Sequence, residues 1–194
     1  MTLFILGLAI FFGLHFYSAV RSRAPDKDLK VRLGYGPYMG LYSILSLIGF
    51  VLIVYGFGAT RGAGVVYVPP TGLAHINLVL TLPAMILLVA SQIPAGRIKK
   101  MSKHPMLLAI KLWALGHLLA NGELNSVILF GSFLAYAVFD RIMVKRRGDN
   151  GPDASVALSS GSDMIAIVGG IAVWAAIAFW LHPILFGVDA LPTG

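Results

Sequence analysis

The sequence predicts an all-α fold, a polytopic membrane bundle of six transmembrane helices. Six long apolar segments run along the 194 residues, and 58% of the residues are hydrophobic. Only 12% are charged, whereas a soluble domain carries about 25%. Basic residues also concentrate in alternate loops, as they do in proteins with several membrane spans. The chain, residues 1–194, therefore predicts one membrane domain and no separate soluble domain.

The six segments are each about long enough to cross a hydrocarbon core of roughly 30 Å, and the fourth is the shortest. The first is expected to remain as a helix, because positive charge follows it and does not precede it as in a signal peptide. The segment 148–162, rich in Gly, Asp, Pro and Ser, predicts a flexible linker between a five-helix core (1–147) and the sixth helix. The predicted helices are 2–20, 37–58, 72–93, 104–120, 124–144 and 163–187.

The connections between the helices separate into a basic group and a neutral group. The second contains only Arg61 as a basic residue, and the fourth, 121–124, contains none. The first, third and fifth hold Arg21, Arg23, Lys27, Lys30, Arg32, Arg97, Lys99, Lys100, Lys103, Arg141, Lys145, Arg146 and Arg147. The positive-inside rule places these basic connections in the cytoplasm and predicts that both termini face the periplasm.

Composition and motifs exclude several classes of chemistry. The chain contains no cysteine, which excludes disulfides, thiol catalysis and iron–sulfur ligation. It has no C-x-x-C-H motif for covalent haem attachment and no Glu-x-x-His pattern for a di-iron site. The net charge of +7 is explained by the membrane topology, so we expect membrane lipid as a partner and no nucleic acid.

Two histidines lie deep within predicted helices, where an ionisable side chain is costly and is usually functional. The first is His15, in the first helix, which is surrounded by Phe11, Phe12 and Phe16. One interpretation is a neutral histidine bonded to a neighbouring helix, and the other is a metal or haem ligand. The sequence leaves both open.

The second is His117, in the fourth helix, which shares its face with Trp113, Ala114 and Asn121. The small Ala114 and Gly116 would admit a flat cofactor close to the backbone, and Asn121 is placed to bond an imidazole nitrogen. Two histidines on different helices, with aromatic and small neighbours, suit a haem held between helices. A bonded interior histidine is again the alternative.

The other three histidines are expected to have different roles. His75 and His182 lie near the outer ends of their helices, where a structural role is usual. His104 begins the fourth helix and points about 220° around it from His117, so the two are unsuited to one metal. Together with Lys103, His104 is expected to meet an anion at the cytoplasmic interface or to cap a loop.

One pair of charges is predicted inside the membrane. Lys111 lies about two turns from the cytoplasmic end of the fourth helix, and Asp140 lies at a similar depth in the fifth. Snorkelling of Lys111 and a surface role for Asp140 would explain both residues separately. Pairing is the commonest solution for charges at this depth, and we favour it.

Three runs of sequence resemble one family closely. They are Gly96–Gly122, Gly40–Leu47 and Phe130–Arg141. On these runs the chain resembles the NnrU family over nearly its whole length. The resemblance implies a bacterial inner-membrane protein associated with denitrification and nitric oxide handling, and it does not imply a molecular activity.

A more distant likeness is to 15-cis-zeta-carotene isomerase, a haem b membrane enzyme with the same histidine–proline start and a second histidine thirteen residues later. The likeness implies haem b with His117 and His15 as its ligands. That enzyme has a cysteine, linked to ligand exchange, where this chain has Ala114, which argues against ligand switching of that kind. In the predicted topology His15 lies near the cytoplasmic third and His117 nearer the outer third, an offset of the order of 10 Å.

The favoured hypothesis is an inner-membrane haem b-binding protein linked to nitric oxide metabolism or to an isomerase-like redox role. Haem propionates need cations, and we expect Arg97, Lys99 or Lys103 to meet them. One alternative is a cofactor-free accessory or assembly subunit of a larger membrane complex. Another is a membrane methyltransferase that uses S-adenosylmethionine, since Lys103–Met106 is similar to its Arg-His-Pro motif. However, Lys145–Arg147 stands where its acidic pair should be.

Overall fold

The computed structural model describes residues 1–70, 72–153 and 155–191, and their regular structure is helical. A π-helical turn at Ile177–Leu181 joins the last two helices. The helices are α1 (Thr2–Val20), α2 (Leu29–Leu33), α3 (Tyr35–Gly58), α4 (Gly72–Gln92), α5 (Arg97–Ser102), α6 (Pro105–Ala120), α7 (Leu124–Arg146), α8 (Ser162–Ala176) and α9 (His182–Phe186). The all-α fold predicted from the sequence is confirmed over these residues.

Among the described residues, five helical stretches are long and apolar enough to cross a membrane. They are α1, α3, α4, α7 and the continuous stretch Ser162–Phe186, which runs through α8, the π turn and α9. The shorter apolar helix α6 has 16 residues and is about 24 Å long. Every predicted helix boundary lies within two residues of the observed one. The chain is therefore a multi-pass membrane protein with the six predicted apolar helices.

The structure divides into two compact units, and the first comprises Met1–Gly64 and Glu123–Asn125. In this unit α1 packs directly against α3. A Cβ atom at Gly56 would lie 2.5 Å from the backbone nitrogen of Phe4, whose side chain is fully buried. Small residues allow helix backbones to approach this closely inside a bilayer, where packing contacts hold helices together.

An ion pair holds the connection that follows α1. The guanidinium of Arg21 donates to one carboxylate oxygen of Asp28, and the other oxygen accepts the backbone N–H of Lys30 and so caps α2. The hydrogen bond from Arg21 lowers the pKa of Asp28 below its ordinary value of 3.8. The first basic connection is thus a folded segment in which part of the charge is neutralised.

The second unit comprises residues 65–122 and the chain from 126 onwards, and α4 lies between α6 and α8 in it. A Cβ atom at Gly170 of α8 would lie 2.4 Å from the Cα atom of Ile86 in α4. The indole Nε1–H of Trp174 donates to Thr81 Oγ1 at 3.1 Å. A close backbone approach and a polar contact between spans therefore fix α4 and α8 side by side.

The segment predicted as a flexible linker hydrogen-bonds to the connection between α4 and α6. The backbone N–H of Ser159 donates to the carbonyl of Ala95 at 2.9 Å. Gly151 turns the chain with a φ of 86°, a conformation that favours glycine. Glycine, aspartate and serine therefore make tight turns here. We call the described residues of 93–104 and 147–162 the basic end of the second unit.

Candidate functional site

His117 is held by its own helix in one tautomer. Its Nδ1–H donates to the carbonyl of Trp113, one turn earlier, at 2.8 Å. Because a carbonyl oxygen only accepts, Nδ1 carries the proton, and in the neutral ring Nε2 carries the lone pair. The side-chain amide of Asn121 donates to the carbonyl of His117 at 2.9 Å. Asn121 therefore ends α6 and does not bond the imidazole, contrary to the expectation from the sequence.

Aromatic rings cover the imidazole of His117. The ring of Phe130, from α7, stacks on it with centroids 4.6 Å apart, and Trp113 lies 5.1 Å away at a tilt. Trp113 in turn meets Phe130 and Phe133 edge-on. Ala114 and Gly116 beside it are buried. The residues around His117 thus form an apolar, largely aromatic cluster built from α6 and α7.

His15 in α1 has the same local geometry. Its Nδ1–H donates to the carbonyl of Phe11 at 2.7 Å, so the neutral ring again carries its lone pair on Nε2. The ring stacks on Phe11 with centroids 4.1 Å apart and lies 5.5 Å from the ring of Tyr42 in α3. Both deep histidines therefore have the tautomer that metal-ligating imidazoles adopt when a second partner fixes Nδ1.

The remaining histidines differ from these two. His182 Nδ1–H donates to the carbonyl of Val188 at 2.7 Å and closes the turn after α9. His75 is exposed near the start of α4. Within the described ranges, no group of three or more His, Asp or Glu side chains could hold a metal ion. A haem needs only one or two axial imidazoles, so His15 and His117 remain the candidates.

Arg97, one of the cations predicted to meet the propionates, begins α5 at the basic end. Its backbone N–H donates to Asp163 Oδ2 at 2.9 Å, and that of Ile98 donates to Asp163 Oδ1 at 3.0 Å. Asp163 therefore caps α5 from the first turn of α8. A Cβ atom at Gly96 would lie 2.3 Å from the same carboxylate. The sequence did not indicate this cap, because an acidic residue in the first turn of α8 is expected to stabilise its own helix.

Lys103, another of the predicted cations, is the central residue of a strained turn. Its φ and ψ are 62° and −56°, and the backbone N–H of His104 donates to the carbonyl of Ser102 at 2.7 Å. This is a γ-turn with positive φ, which is rare and strained for a residue with a side chain. Gly151 packs on it so closely that a Cβ atom there would lie 2.6 Å from Lys103 Cα.

His104 fastens the same turn to the segment after α7. Its Nε2–H donates to the carbonyl of Asp149 at 3.1 Å, and the carboxylate of Asp149 lies 3.4 Å away. Of the two roles expected for His104, the structure contains the loop cap. The strained turn is therefore held from outside, by Gly151 against Lys103 and by Asp149 on His104.

A cavity of about 350 Å³ opens at the basic end. The ammonium of Lys99 lines it while donating to the carbonyls of Ser91 and Ile93 at 3.0 and 2.8 Å, and so ends α4. The cavity brings together two ammonium groups, an imidazole and a carboxylate. Its lining residues are Ser91, Lys99, Lys103, His104, Pro105, Met106, Leu107, Asp140 and Val144.

The predicted ion pair between Lys111 and Asp140 is wrong. Asp140 lines the cavity and accepts a long hydrogen bond of 3.4 Å from Tyr136, and no salt bridge joins it to Lys111. Lys111 instead lies within electrostatic range of Arg141. One atom of that arginine, Nη1, is buried and has no hydrogen-bond partner in the described part of the chain. Asp140 and Arg141 are adjacent in α7, and adjacent residues of a helix point about 100° apart. The equal depth of Lys111 and Asp140 was therefore not enough to bring their side chains together.

A family model described as NnrU protein matches residues 3–190, nearly the whole chain. No curated protein and no solved structure matches it. The matched region contains both deep histidines, the cavity and the cap at Asp163.

Proposed function

This chain belongs to the NnrU family, and from that premise we propose that it is a haem b-binding protein of the bacterial inner membrane. Its role would lie in nitric oxide metabolism during denitrification or in an isomerase-like redox reaction. The observation that carries the proposal is the hydrogen bond from His117 Nδ1–H to the carbonyl of Trp113. This hydrogen bond leaves the lone pair of the neutral imidazole on Nε2, in the apolar surroundings of a predicted membrane span.

The residues around His117 fit a haem ligand in their chemistry. Haem iron takes neutral imidazole nitrogen, and the polarity of the surrounding pocket sets its potential and its access to small molecules. Trp113 and Phe130 supply aromatic surface, and the backbone bond to Nδ1 fixes the orientation of the ring. When bound, a haem would supply a one-electron redox centre.

His15 is the second ligand in this proposal, on the strength of the sequence likeness and of its own bond to Phe11. Arg97 and Lys103 are proposed to meet the propionates. Lys103 lies two residues before α6 begins at Pro105. His117 lies thirteen residues beyond His104, or about 20 Å further along the helix. Variants of Arg97 and Lys103 therefore test the propionate contacts separately from the iron ligands.

The visible spectrum of the purified protein tests the proposal. We expect a Soret band from the wild type, its loss or a strong shift in His117→Ala, and a shift in His15→Ala. The matched controls His75→Ala and His182→Ala should leave the spectrum unchanged.

Wild-type spectra from both core variants would refute the ligand assignment. A colourless wild type, produced with ample haem, would favour a cofactor-free accessory or assembly subunit. Arg97→Gln and Lys103→Gln should weaken haem retention without moving the Soret band, because they would leave both proposed imidazole ligands in place. Unchanged haem retention in both would remove them from the site.

A further inference from the structure

The half-buried side chain of Arg141 in α7 contains one buried nitrogen. Nη1 of Arg141 is buried and has no hydrogen-bond acceptor among the residues that the structure describes. Arg141 lies five residues before the end of α7 at Arg146, or about 7.5 Å into the helix. A buried donor on a charged group that lacks an acceptor is unfavourable, so Nη1 calls for an acceptor, and an anion would suit the charge.

A second cation lies near the first. Lys111, from α6, is within electrostatic range of Arg141. No carboxylate in the described part of the chain lies within ion-pair distance of either residue. The nearest acidic residue in sequence, Asp140, lines the cavity at the basic end and accepts from Tyr136. Two like charges, one on α6 and one on α7, are thus left without a carboxylate among the described residues, and a ligand could neutralise them.

We propose that Arg141 and Lys111 form a binding site for a phosphate-type oxyanion, supplied by the headgroup of an anionic phospholipid. A guanidinium matches two phosphate oxygens with parallel hydrogen bonds, and an ammonium adds a compact point charge. Basic pockets between transmembrane helices on the cytoplasmic side are typical of sites for anionic headgroups. The site lies close to the basic end of the second unit, which the charge distribution predicts to be cytoplasmic.

The surface around the site favours a lipid over free phosphate. The neighbouring apolar residues of the two helices are exposed, with Val138 and Ile142 on α7 at 43% and 44% and Leu108 on α6 at 37%. Acyl chains can pack against this surface while the headgroup reaches the cations. Free phosphate would meet the same cations and gain nothing from the apolar surface.

The test is a titration of full-length, detergent-solubilised protein with phosphatidylglycerol, followed by thermal unfolding. Parallel titrations use phosphatidylcholine and inorganic phosphate at matched ionic strength. We expect phosphatidylglycerol alone to raise the unfolding temperature of the wild type. Arg141→Gln and Lys111→Gln should each weaken its apparent affinity by about tenfold or more, the loss of one charged hydrogen bond.

Two further variants keep the result interpretable. Lys145→Gln removes an exposed cation from the same end of α7 and should leave the affinity unchanged. Arg141→Lys keeps the charge but loses the paired hydrogen bonds, so it should fold and bind with intermediate affinity. Equal affinity for phosphatidylglycerol in the wild type, Arg141→Lys and Lys111→Gln would overturn the proposal. Equal stabilisation by inorganic phosphate would overturn the lipid as the source.

Discussion

Replacing Asp163 with alanine should remove the N-terminal cap of α5, although Asp163 lies more than sixty residues later in the sequence. The carboxylate accepts two backbone N–H groups, at 2.9 and 3.0 Å. Loss of an N-cap lowers the free energy of unfolding by about 0.5–2 kcal/mol. Because this acceptor is charged, we expect a loss in the upper half of that range. Asp163→Asn keeps one carbonyl acceptor and should lose about half as much.

Gly96 supplies the internal check on that prediction. A Cβ atom at Gly96 would lie 2.3 Å from the Asp163 carboxylate, so Gly96→Ala should displace the cap and destabilise the wild type. In the Asp163→Ala background the same change should cost less, because the obstructing carboxylate is gone. The assay is equilibrium unfolding in mixed micelles, read as a double-mutant cycle. Additive losses, or a loss below about 0.5 kcal/mol in Asp163→Ala, would refute the assigned cap.

Four other predictions follow from the packing and the charges. The lowered pKa of Asp28 means that its ion pair stabilises the fold above pH about 4. The stability advantage of the wild type over Asp28→Asn should therefore disappear as the pH falls further, measured by thermal unfolding across pH. Gly56→Val should cost about 1–3 kcal/mol in micelle unfolding, since even a Cβ atom would lie 2.5 Å from the α1 backbone. Lys111→Leu and Asp140→Asn should be additive within about 0.5 kcal/mol in a double-mutant cycle, because the two side chains do not pair. A C-terminal fusion to a reporter that is active only in the periplasm should be active, and activity of a cytoplasmic reporter there would reverse the predicted topology.

Apolar length and charge distribution were sufficient to predict the spanning helices. Each boundary followed from where the apolar run meets Gly, Pro or a basic cluster, as at Pro105 and Arg146. The sequence did not reveal α2 and α5, with 5 and 6 residues. Helices that short carry too few residues for a periodic signal, and they depend on caps such as Asp28 and Asp163.

The contacts at the basic end could not be predicted because they join distant parts of the chain. Asp163 reaches the start of α5, and Gly151 packs against the strained turn at Lys103. The composition of the segment 148–162 indicates turns equally well in a free linker and in a docked one. The failed Lys111–Asp140 pair has a different cause: depth follows from residue counting, but the direction of a side chain around its helix depends on how the helices are rotated.

Part of the candidate site was predictable from the sequence. An ionisable residue surrounded by apolar ones within a span identifies His15 and His117 without a structure. What the sequence left open was the partner of each imidazole. The bonds to the carbonyls of Phe11 and Trp113, at 2.7 and 2.8 Å, come from helix geometry, which places the ring one turn above an earlier carbonyl.

The haem content of His117→Gly, measured with and without added imidazole, tests the central claim most directly. The wild type should retain haem through purification, and the variant should lose it or show a changed Soret band. Added imidazole should then restore the wild-type spectrum, because it supplies the missing axial nitrogen. Retention of the wild-type spectrum by His117→Gly without imidazole would contradict the account, as would a wild type that never binds haem.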